Sequence, residues 1–126
     1  MDKYKLTQET KIINGVTLHR IEALKDFGDV KKGDLGGYIE NEKNLSQWHK
    51  SNAWVYADAK VYGNAWVYGD AKVSGDAEVC GDAEVCGGEM YGSAEVSGDA
   101  WVSTDAAVSE IITLNGKRYK LIKENK

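Results

Sequence analysis

The sequence predicts an all-β molecule of short strands stacked into a prism, and three observations carry that prediction. From Ala53 to Val108 the pattern Ala-x-Val-x-Gly-Asp returns with little interruption, and a short fixed period marks an architecture whose units bury an apolar face only by stacking. The chain contains no proline, so nearly every backbone N–H stays available to a ladder. Asn14-Gly15 and Asn115-Gly116 each sit between strand-like runs, the strongest short-range signal for a β-hairpin.

In chain order, residues 1–52 are assigned to an N-terminal hairpin cap and a first, interrupted coil. Thr10 to Ile13 and Val16 to Leu24 flank the Asn-Gly turn, with Val16, Leu18 and Arg20 on one face. The glycine-rich stretch Gly28 to Ile39 reads as an ordered turn whose glycines supply positive φ or close backbone approach. It lacks the Gly-Lys-Ser/Thr and the following helix of a phosphate cradle. Ile39 and Leu45 stand six apart, as if the repeat starts there and breaks off before Ala53. Residues 109–126 are assigned to a second cap, Ile111 to Leu114 and Lys117 to Ile122 forming its hairpin. Caps are expected because open terminal coils invite end-to-end pairing.

Within residues 53–108 the aliphatic slot holds Val55, Val61, Val67, Val73, Val79, Val85, Met90, Val96, Val102 and Val108, and alanine stands two places before nearly all of them. One aliphatic per hexad is too sparse for a helical stripe. A strand of about three residues and a sharp corner would instead point Val inward and tuck Ala beneath the corner. The following glycine frees the turn, and Asp or Asn bonds its own backbone. Between Gly87 and Gly92 one corner residue is missing, and Met90 keeps the core slot.

This pattern resembles the hexapeptide-repeat proteins, and the resemblance implies a short left-handed parallel β-helix of three to four coils, three hexads to a coil. A right-handed β-helix is the alternative, because the glycine stands one place later than is usual in the family. Gly33-Asp34-Leu35-Gly36-Gly37-Tyr38-Ile39, Asn44-Leu45-Ser46 and Ala53-Trp54-Val55-Tyr56 are also similar to a group of uncharacterised phage and prophage hexapeptide-repeat proteins. With three hexads per coil, residues 18 apart stack about 4.8 Å from one another. The columns before the valine are then Trp54, Lys72, Glu89; Lys60, Glu78, Glu95; and Trp66, Glu84, Trp101.

These columns predict an outward collar of Trp54, Tyr56, Tyr62, Trp66 and Tyr68 around the first complete coil, with Trp48 just before it. Either residues 1–50 fold back over it, or neighbouring aromatics simply stack along the strands, or it is a contact surface, since Trp and Tyr are favoured anchors and exposed apolar patches mark interfaces. Trp66 and Trp101 flanking Glu84 are the sharpest candidates. Acidic candidates are Glu78 and Glu95 on one face and Asp82 and Asp99 at an adjoining corner; turn bonding explains the aspartates as well as a strip facing a basic partner does.

Net charge −4 argues against a nucleic-acid surface, and no apolar run approaches a bilayer span. The amino terminus leads into polar residues without a signal-peptide pattern, so a cytoplasmic protein is expected. Cys80 and Cys86 fall on different faces, too far apart for a disulfide. The related acyltransferases use a histidine as base; here only His19 and His49 exist, and His49 is the one plausible base. Three histidine ligands for a metal are not available. The reading is a non-enzymatic structural or protein-interaction module without cofactor or metal, self-associating as a dimer or trimer or, if phage-encoded, binding a host protein. The alternatives are an acidic inhibitor of a nucleic-acid enzyme and an acyltransferase.

Overall fold

The computed structural model describes residues 2–102 in full and, beyond them, the backbone at residues 107–108, 111–114 and 120–121. Its two-residue strands are β4 Trp54–Val55, β5 Lys60–Val61, β6 Trp66–Val67, β7 Lys72–Val73, β8 Glu78–Val79, β9 Glu84–Val85, β10 Glu89–Met90 and β12 Trp101–Val102; β11, Glu95–Gly98, is longer. The final strands are β13 Ala107–Val108, β14 Ile111–Leu114 and β15 Lys120–Leu121. Three longer strands precede them: β1 Tyr4–Ile13, β2 Val16–Ala23 and β3 Leu35–Ile39.

The short strands form a three-faced parallel β-solenoid. One face stacks β4, β7, β10 and β13, a second stacks β6, β9, β12 and β15, and the third runs β1-β2-β3-β5-β8-β11-β14. Partners are 18 residues apart where the hexads are intact, as at Lys60 and Glu78, and 17 apart across the deletion, as at Lys72 and Glu89. The three predicted columns are therefore the observed ones. The valine slots from Val55 to Val102, Met90 among them, are fully buried, as are the alanines that precede them. Each buried aliphatic side chain contributes about 1.5–3 kcal/mol.

The first coil is as interrupted as its spacing implies. Ile39 stacks on Val61 and Leu45 on Val67, and after Ser46, bonded to the Val67 carbonyl, the chain makes a short excursion over residues 47–50 before buried Ser51 bonds the Gly69 carbonyl and the ladder resumes at Trp54. A buried Asn44 fastens this coil: its side chain accepts from the N–H groups of Glu40 and Asn41 and donates to the carbonyls of Gly63 and Ala65. The approach of β3 to the solenoid requires glycine. A Cβ on Gly36 would lie 2.5 Å from the Val55 carbonyl oxygen, and one on Gly37 would overlap that of Ala59.

Asn14 and Gly15, with φ of 52° and 80°, form the predicted hairpin turn between β1 and β2. The hairpin extends a side of the prism, because β2 pairs antiparallel with β3, which itself runs parallel to β5. Its tip covers that face: Leu18, Tyr38 and Tyr62 form a small cluster outside the main core, with Ile13, Val16 and Cys80 against it. Over the core itself lie Tyr4 and Phe27, both edge-on to Trp54 at 6.1 and 5.4 Å. Buried Lys3 donates from Nζ to the Ser51 carbonyl at 2.7 Å and lies 4.5 Å from the Phe27 ring.

The C-terminal hairpin is corrected by the structure. β14 runs parallel to β11 and β15 parallel to β12, in two different sheets. Among the described residues these strands add rungs to the solenoid instead of pairing with each other, because their backbones continue the ladders of β11 and β12. The turn expected at Asn115-Gly116 falls in residues 115–119, which lie outside the described residues.

Candidate interaction surface

The structure distributes the predicted collar over three faces with different fates. Trp54 is corrected outright: only 1% exposed, it belongs to the main core beneath Tyr4 and Phe27, so it offers nothing to a partner. Tyr62 is likewise withdrawn, 9% exposed beneath the hairpin tip. Its hydroxyl accepts from Asn14 Nδ2 at 3.4 Å and reaches Glu78 Oε1 at 3.3 Å. Burial first, then neighbouring Cys80, pushes its pKa up to about 12.

On the β4–β7–β10 face Tyr56 is half-buried and donates to Asp29 Oδ1 at 2.7 Å, while Lys72 Nζ stands 3.6 Å from Asp29 Oδ2. The hydroxyl and the ammonium lower the Asp29 carboxyl from its ordinary value, and burial above all raises the Tyr56 phenol. These three residues with Ser74 and Glu89 line a shallow depression of ≈ 230 Å³.

The β6–β9–β12 face keeps Trp66 in solvent. Trp66 is 43% exposed. It stacks on Tyr68, two residues on along the strand, with ring centroids 3.9 Å apart and planes 24° apart. The Tyr68 hydroxyl is 3.2 Å from Glu84 Oε1, and burial, then Cys86 and Glu84, raise its pKa to about 12. Glu84 is the register partner of both Trp66 and Trp101, so the three form one column, and Trp101 is half-buried. Trp48, 60% exposed, follows Ser46, whose N–H donates to the Val67 carbonyl on this face.

The acidic candidates are split. Glu78 and Glu95 are register partners on the hairpin-covered face. Exposed Asp82 lies at the corner beside the Trp66 face, its Oδ1 accepting from Asn64 Nδ2 at 3.2 Å, and half-buried Asp99 occupies the equivalent place one coil on. Cys80 and Cys86 are free thiols on two faces. Asp29, Asn14 and Lys43, the last donating to Asn64 Oδ1 at 2.8 Å, were not legible as site residues. They meet the prism only through the fold of the N-terminal segment, which has no repeat to index it.

His19 Nδ1 lies 3.1 Å from the Thr7 carbonyl within the hairpin, and His49 is exposed next to Trp48. Among the described residues no group of three or more His, Cys, Asp or Glu could hold a metal ion, and no helix is long and apolar enough to cross a membrane. Among the described residues, the surface where several candidate residues come together uncovered is the Trp66 face.

No family model matches the chain, whereas a protein of Escherichia coli (strain K12) named uncharacterized acetyltransferase YdcK is 36% identical to it over 64 residues. That alignment covers 44% of this chain and 19% of the relative, so the chain spans about a fifth of the protein it matches.

Proposed function

We propose that this chain is a non-enzymatic structural and protein-interaction module, with the β6–β9–β12 face as its contact surface. In the phage or prophage setting that the sequence resemblance implies, the partner is a host protein. The observation that carries this reading is the exposed Trp66–Tyr68 stack on a rigid parallel face, since a stiff aromatic pair loses little entropy on binding and Trp and Tyr dominate binding energy. The solenoid fixes the backbone beneath every such side chain through ladder hydrogen bonds on both sides of β9.

A second reading, acyl transfer, is favoured by the name of the Escherichia coli relative. Exposed His49, in the short excursion at residues 47–50, would then be the base. One pair of experiments separates the two readings. Affinity capture from a bacterial lysate with the wild type, and with Trp66→Ala plus Trp101→Ala, is expected to show a protein retained by the first and lost by the second, with unchanged circular dichroism. Saturable heat from acetyl-CoA in calorimetry, abolished in His49→Ala, would replace the module with the enzyme.

A further inference from the structure

The faces differ in charge as well as in cover. The hairpin-covered face mixes signs: Lys60 sits among Glu78 and Glu95, and Lys11 and Arg20 approach Asp58 at its corner, 3.9 and 3.6 Å away. The Tyr56 face carries Lys72. Among the described residues of strands β6, β9 and β12 the Trp66 face holds no basic side chain. It holds Glu84 in its column, Asp82 and Asp99 at one corner and exposed Asp70 at the other. Lys43 stands at its rim, its ammonium bonded to Asn64. Lys120 follows Trp101 in the column, its side chain beyond the described residues.

We infer that the Trp66 face binds an arginine-bearing segment of a protein partner, a guanidinium lying against the Trp66 ring and pairing with the carboxylates beside it. The inference rests on the interaction-module reading and names the partner's chemistry. An indole is the best π surface for a cation, and arginine is the cation that stacks on it most often. Tyr68 occupies one side of the ring at 3.9 Å and holds the indole in place, leaving its exposed remainder to the partner. Glu84, adjacent in the column and 3.2 Å from the Tyr68 hydroxyl, places a carboxylate beside the ring, and a carboxylate offers about four lone-pair sites. A planar guanidinium can stack and donate in its own plane at once, which an ammonium cannot. The acidic frame would raise the encounter rate and reject acidic partners.

The test uses the full chain and three fluorescent peptides of equal length in which glycine alternates with arginine, lysine or citrulline. Anisotropy in low salt should show saturable binding of the arginine peptide, several-fold weaker binding of the lysine peptide and none of the uncharged citrulline peptide. Trp66→Ala should weaken arginine-peptide binding by about tenfold, and Glu84→Gln by a smaller factor. Glu89→Gln, which removes the same charge from another face, should leave it unchanged. Equal binding of the citrulline peptide, or equal loss in Glu84→Gln and Glu89→Gln, would overturn the inference, as would full binding by Trp66→Ala. If lysate capture remains sensitive to Trp66→Ala while the arginine peptide fails to bind, the partner chemistry is wrong and the module stands. If both fail, the module reading falls with it.

Discussion

The hairpin-covered face and the Trp66 face come from the same hexad and share residues in several equivalent slots, with Lys60 on one where Trp66 stands on the other. Tyr62 and Cys80 on one correspond to Tyr68 and Cys86 on the other, each tyrosine placed within reach of the next rung's glutamate, Glu78 or Glu84. One face is roofed by the hairpin, with Leu18 fully buried against it, and the other is left with a stacked Trp66–Tyr68 pair in solvent. The repeat therefore determines which side chains point outward, and the non-repetitive N-terminal segment determines which of them a partner can reach. A cap on a solenoid here selects the binding surface as well as closing an end.

The largest expected effect contrasts two tryptophans in the same slot. Trp54→Ala removes a ring packed by Tyr4 and Phe27 and is expected to cost about 3–5 kcal/mol in urea unfolding. Trp66→Ala, losing one stacking partner in solvent, is expected to cost about 1 kcal/mol or less. Equal costs would mean that Trp66 is part of the core and that the bare face is not bare.

A smaller effect separates the cap from the faces by pH. Lys3 has its pKa lowered from 10.5 to about 8, chiefly by burial and then by Lys25, with Asp70 pulling weakly the other way. Between those values the unfolded chain holds the extra proton, so stability rises with pH, by about 2 kcal/mol from pH 8 to pH 10. Tyr62 and Tyr68 are held up at about 12. Above pH 10 the unfolded tyrosines ionise first, and stability falls. Lys3→Met should flatten the rise and keep the fall; denaturant midpoints across pH 7–11 would show a persistent rise if another group were responsible.

The smallest effect compares the thiols. Cys80 lies against the hairpin cluster, and burial raises its pKa, whereas Cys86 stands on the uncovered face. A bulky maleimide should label Cys86 several-fold faster than Cys80, since access and thiolate fraction set the rate. Leu18→Ala should narrow the gap by loosening the roof. A ratio unchanged by Leu18→Ala would show that the hairpin does not control access.

Legibility in the sequence followed the repeat. The hexad spacing located the core valines from Val55 to Val102, the three columns, the register shift at Met90 and the restart at Ile39 and Leu45, because stacking converts sequence separation directly into neighbours. It could not tell Trp54 from Trp66. Both occupy the slot before a valine, and what separates them is Tyr4 and Phe27, brought from far away in sequence. The Asn-Gly signal worked at Asn14-Gly15, where β1 and β2 pair with each other. Around Asn115-Gly116 it competed with open parallel edges on two faces, which took Ile111–Leu114 and Lys120–Leu121 into the ladders.

The four tryptophans provide the most direct test of the claim that the uncovered face is the binding surface, because their indole N–H signals report on separate places: Trp48 on the loop, Trp54 in the core, exposed Trp66 and half-buried Trp101 in one column. In a ¹H–¹⁵N spectrum assigned by single Trp→Phe variants, titration with the arginine peptide should move Trp66 and Trp101 together and leave Trp54 in place. Saturable binding that moved Trp54 while Trp66 and Trp101 stayed fixed would contradict the account, placing the partner at the cap instead of on the face it leaves open.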